Sequence, residues 1–94
     1  MNILFTSQAK SDISDIAHYV SQDNPNAARK LIKNFTDSIN NLIDFPQLGR
    51  VVPEYSEDSI RELIKGQYRI VYKFNEQKNE IYIITIHHSK RLLI

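Results

Sequence analysis

The 94 residues contain no cysteine, no tryptophan, two glycines and three prolines. Without cysteine there is no disulfide and no thiolate metal site. No apolar run reaches the roughly 18 residues a membrane span needs. The first residues, MNILFTSQAKSD, have no basic stretch followed by an apolar core, so no secretion signal is expected and a cytoplasmic location is. No repeats, low-complexity tracts or second domain appear. Its length suits one domain, residues 1–94, burying roughly 60–65% of its unfolded surface. A net charge of +1 says little, but its distribution says more. Residues 1–60 carry five basic and eight acidic side chains, residues 61–94 seven and three. A basic last third suggests an anionic partner, or it is noise in a short chain.

NILFT, residues 2–6, predicts a strand. Ser7 is the expected cap of a helix showing Ile13, Ile16, Ala17 and Val20 on one face, with Asp12 and Asp15 suiting its positive end. Asn24 and Pro25 mark a second helix start. Ala28, Leu31, Ile32, Phe35, Ile39, Leu42 and Ile43 form its stripe, which ends at DFPQLG. Residues 51–59 read as an irregular link. The period then changes to two. Strands are expected at Ile60–Lys65, Tyr68–Phe74 and Glu80–His87, with turns at Gly66-Gln67 and residues 75–79. The fold class is α+β in the order β-α-α-β-β-β: an N-terminal strand, a helical hairpin, then a three-stranded antiparallel meander with the hairpin on one face.

Alternation gives Tyr68–Phe74 two faces. Tyr68, Ile70, Tyr72 and Phe74 suit a floor for the helices, and Arg69, Val71 and Lys73 look outward. In the last strand Tyr82, Ile84 and Ile86 fall on one side and Ile81, Ile83, Thr85 and His87 on the other. Arg69 is a candidate clamp for an acidic partner, or simply pairs with a carboxylate such as Glu62 across the strands. Lys65 and Lys73 read as solvated, and Tyr68, Tyr72 and Tyr82 as core. Gly49 and Gly66 suit turns needing unusual φ. Adjacent His87 and His88 point to opposite faces and do not readily share a metal ion, so none is expected.

Four stretches in register carry a resemblance. Pro46, Gly49 and Arg50 form Pro-x-x-Gly-Arg. Arg61, Glu62 and Leu63 open a strand, Tyr68 to Tyr72 spell Tyr-Arg-Ile-Val-Tyr, and Ile86 and His87 precede Lys90 and Arg91. Together they resemble the RelE/ParE superfamily of bacterial type II toxins, most closely its ParE branch. The resemblance implies a growth-inhibiting toxin neutralised by a cognate antitoxin in a hetero-oligomer, with no cofactor and no membrane. ParE-like members resemble inhibitors of DNA gyrase; RelE-like members cleave mRNA on the ribosome. Target or antitoxin contacts are then expected at Arg50, Arg61, Arg69, Lys73, His87, Lys90 and Arg91. Metal-free RNA cleavage needs a base, an acid and cations at the phosphate, and Arg69 and His87 are the catalytic candidates in that case alone. The Ile-His-x-x-x-Arg ending, without a terminal tyrosine, and Gly49-Arg50 favour the gyrase reading. An interaction module that has lost its toxicity is the third possibility.

Overall fold

Thr6, not Ser7, caps the first helix. In the computed structural model, which describes residues 1–89, the extended Thr6 accepts the Ala9 N–H on its hydroxyl at 3.0 Å. That satisfies one of the N–H groups a helix start leaves without a partner. Strand β1 (Asn2–Phe5) runs into this cap and helix α1 (Ser7–Asp23) out of it. No acid lies in the first turn of α1. Asp12 is further along and has a different task, described below. Asn24 caps helix α2 (Pro25–Asn40) by accepting the Ala27 N–H at 3.1 Å. Pro25 stands at the first helical position, where its missing N–H is no loss. Regular α-helix ends at Asn40, ahead of DFPQLG, and Asn41–Ile43 tighten into a 3-10 turn.

The remaining strands are β2 (Arg50–Val51), β3 (Ile60–Lys65), β4 (Tyr68–Asn75) and β5 (Glu80–His88). They form one sheet with β1 in the order β1-β5-β4-β3-β2. The antiparallel meander β3-β4-β5 is as expected. β1 joins it parallel to β5, and β2 pairs with β3 at the start of a stretch expected to be irregular. Gly66 turns the β3–β4 hairpin at φ 58°. The helices cover one face, where Phe35, Ile39 and Leu42 meet Leu63, Ile70, Tyr72, Ile81, Ile83 and Ile86.

β5 departs from strict alternation. Val71 pairs with Thr85, but Tyr72 pairs with Ile83, leaving Ile84 as the extra residue of a bulge. Ile81, Ile83 and Ile86 therefore all reach the core, while Tyr82, expected there, is exposed. Two α1-side groups hold the bulge. The Thr6 hydroxyl donates to Ile84 O at 2.6 Å. One Asp12 oxygen accepts the Thr85 hydroxyl at 2.5 Å and the Ile86 N–H at 3.0 Å. β1 stops pairing at Ile83, so the buried Ile86 N–H takes a carboxylate as acceptor instead of a strand. The one-residue shift sends His87 away from the helices.

Candidate functional site

Arg69, Val71 and Lys73 of β4 face away from the helices. Arg69 lies opposite Ile64 of β3 and His87 of β5, and Val71 opposite Glu62, which in turn faces Arg50 of β2. The strands thus bring Arg50, Arg69, Lys73 and His87 to one face. Arg61 belongs to the other face, and Lys90 and Arg91, with the apolar tail Leu92 to Ile94, lie outside the described residues.

This face is not the open cationic display that the alternation suggested. The Arg69 Nε donates to both Glu62 oxygens, at 2.8 and 3.1 Å, and its Nη2 also reaches both. Glu62 has a side chain 0% exposed and Arg69 one 10% exposed. Glu54 Oε2 lies 3.8 Å from Arg69 Nη2, and Arg50 Nη2 lies 3.5 Å from Glu62 Oε2. Hydrogen bonding to Glu62 holds the Arg69 pKa above its ordinary value against the opposing effect of burial. The forked geometry is the reason for arginine here, since a guanidinium matches a carboxylate two bonds at a time. Lys73 Nζ meets Glu57 Oε1 at 2.9 Å. The acids Glu54, Glu57, Asp58 and Glu62 fold back on Arg61, Arg69 and Lys73, so these cations of the C-terminal part meet carboxylates that precede them or lie beside them in the chain.

Arg61 has a structural task. Its Nε donates to Asp58 O at 2.9 Å and its Nη1 to Gly49 O at 3.2 Å, with its guanidinium 5.9 Å over the Phe74 ring. His87 is 5% exposed. Its Nδ1 lies 2.9 Å from the carbonyl of His88, and its buried Nε2 has no hydrogen-bond partner among the described residues. No group of three or more His, Cys, Asp or Glu among the described residues could hold a metal.

Sequence reasoning missed the latch beside this face. The buried Tyr72 hydroxyl donates to Pro46 O at 2.7 Å and accepts the Gly49 N–H at 2.8 Å. A Cβ on Gly49 would lie 2.6 Å from Glu62 O and 2.8 Å from the Tyr72 ring. Gly49 is there for close approach; unlike Gly66 it has no positive φ. The Pro-x-x-Gly spacing was the visible signal, because Pro46 and Gly49 are the two ends of one tyrosine's hydrogen bonds.

The same stretches were singled out as a resemblance, and comparison with known families decides it. Residues 3–93 match the family described as ParE toxin of type II toxin-antitoxin system, parDE. The chain belongs to the ParE toxin family. No curated protein sequence matches it. Among solved structures, a chain from the chromosomal ParDE system of P. aeruginosa is similar, with 22% identity and TM-score 0.75 over 96% of this chain and 97% of that one. The isolated E. coli RelE toxin shares 12% identity at TM-score 0.65, over 98% and 87%. A chain of the RelBE2 toxin–antitoxin complex of Mycobacterium tuberculosis shares 17% at TM-score 0.64, over 93% and 88%. The ParE and RelE toxins thus share this fold, and family membership makes the chain a type II toxin.

Proposed function

We propose that this ParE-family toxin is held inactive by a cognate antitoxin and, when released, arrests growth by binding DNA gyrase rather than by cutting RNA. The antitoxin part rests on the family and on the similar chains in ParDE and RelBE systems. Among the described residues no helix is long and apolar enough to cross a membrane, which fits a partner met in solution.

One observation carries the choice of target: the capture of Arg69 by Glu62. RNA cleavage without a metal needs a cation free to meet the phosphorane and a proton-transfer group within reach of the 2′-oxygen. Arg69 has its Nε and Nη2 turned to a fully buried carboxylate. His87 has one nitrogen at a main-chain carbonyl and the other buried. A surface whose charges are already paired suits binding to another protein better than clamping a phosphate.

RNA cleavage is the second reading, favoured only by the pairing of His87 with Arg69 across β4 and β5. Induction of the toxin alone, followed by supercoiling assays with purified gyrase and primer extension on cellular mRNA, separates the two. Inhibited supercoiling with intact mRNA is the expected result. mRNA cuts on induction of the wild-type chain, with supercoiling unaffected, would establish the nuclease instead.

A further inference from the structure

Five of the large apolar side chains left exposed are concentrated in residues 43–55: Ile43, Phe45, Leu48, Val51 and Tyr55, with Phe45 at 64% and Leu48 at 54%. They belong to the connection between α2 and β3. A loop that merely links two elements has no need of them, and two of the five, Phe45 and Leu48, line one surface feature together; exposed apolar side chains gathered in this way mark interaction sites.

The loop is also held in shape. Tyr72 ties the two ends of its Pro46–Gly49 turn, Pro46 O and Gly49 N, and Arg61 donates to the carbonyl of Gly49. Phe45 and Leu48 are further joined by a Leu48 N to Phe45 O bond at 3.0 Å. Order of this kind lowers the entropy lost on binding. Around Phe45 and Leu48 a shallow cavity of about 460 Å³ is lined by Asp44, Pro46, Gln47 and Glu76. Its charged rim is acidic. The groove between α1 and α2 has another character, an apolar floor of Ala17, Ala28 and Ile32 with Arg29 and Lys33 on its rim. A groove suits a helix or extended peptide laid along it. A preorganised loop with projecting side chains suits insertion into a concave site on an already folded protein.

We infer that the loop of residues 43–55 is the surface by which the toxin engages its target, inserting Phe45 and Leu48 into an apolar cleft of a folded enzyme edged by lysine or arginine. The occupant is the target and not the antitoxin. This rests on the reading of the chain as a protein-binding toxin but does not require the target to be gyrase.

The test is Phe45→Ser/Leu48→Ser, with Tyr19→Ser as a control that removes exposed apolar surface elsewhere. All three side chains are exposed, so the variants should melt as the wild type does. Induced alone, the double variant should lose growth arrest, and in pull-downs it should bind reconstituted gyrase at least roughly tenfold more weakly, as loss of central anchors does. It should still form a complex with its cognate antitoxin. If wild-type protein fails to bind gyrase but the double variant still loses growth arrest, the gyrase reading falls and the loop proposal stands. Full growth arrest by the double variant overturns the proposal, whether or not antitoxin binding is lost. So does a wild-type chain that leaves growth unchanged, or equal loss in Tyr19→Ser.

Discussion

On β4, Ile70 and Tyr72 point to the helices while Arg69 and Val71 point away, and all four are buried. The inner face is closed by hydrocarbon from Phe35, Ile39 and Leu42. The outer face is closed by a guanidinium laid on a carboxylate, with Glu54 and Arg50 at its margin. Apolar burial is non-directional, so each inner side chain contributes roughly in proportion to its area. A buried ion pair depends on both members, and neither charge is tolerable alone. The faces should therefore respond differently to the same kind of truncation.

The largest effect expected is on the outer face. Glu62→Ala leaves Arg69 buried with only Glu54, at 3.8 Å, to answer its charge. The variant should lose about 3–5 kcal/mol in urea denaturation. Replacing both partners, Glu62→Met with Arg69→Met, should recover most of that loss, because the desolvated charges go together. A double variant as unstable as the single one would mean the outer face is held by something other than its charge pair.

Truncation of the inner face comes next. Ile83→Ala should cost about 3 kcal/mol, from lost burial plus the cavity left behind. Ile83→Leu, which keeps volume, should cost less than about 1.5 kcal/mol. The matching conservative change outside, Arg69→Lys, should be poorly tolerated, since a point charge cannot make the forked contact. Equal tolerance on both faces would erase the distinction.

Tyr72 belongs to both regimes, with its ring in the core and its hydroxyl tying Pro46 to Gly49. Tyr72→Phe should cost about 2 kcal/mol, since two backbone groups lose their partner. Burial raises the phenol pKa above its ordinary 10.0, with the Gly49 N–H and Arg61 opposing. A raised pKa means the folded state favours the neutral phenol. That stabilisation is complete below pH 10 and is lost as pH climbs through the raised value. Ultraviolet titration should show one tyrosine ionising late, absent in Tyr72→Phe.

The inner face was largely legible in the sequence and the outer face was not, for the same physical reason. Apolar positions obey a period, so Ile70, Tyr72, Phe35 and Ile39 could be placed before any coordinates. The exception was β5, where the bulge depends on Thr6 and Asp12, side chains far away in sequence. The outer face was written as charges, and charge carries no period that names its partner. Arg69 with Glu62 was one of two readings, and register alone could choose. Gly49 read as a turn glycine because close approach of a distant tyrosine leaves no local trace.

The smallest effect sharpens the comparison at the edge of the outer face. Lys73 and Glu57 make a contact as close as many buried pairs, 2.9 Å, yet both are about half exposed. Hydrogen bonds from Lys73, then from Ser59, lower the Glu57 pKa from 4.5, with burial slightly opposing. A lowered carboxyl pKa gives stability that is present above pH 4.5 and lost as pH falls through the lower folded value. Water and salt screen such a pair, so Lys73→Met should leave the urea midpoint almost unchanged. The difference should appear in NMR titration of the Glu57 carboxyl, which moves back up toward 4.5 in the variant. A large loss of stability in Lys73→Met would mean that Glu57 and Lys73 act with Glu62 and Arg69 as one network, and that exposure does not divide the outer face into a structural centre and a solvated margin.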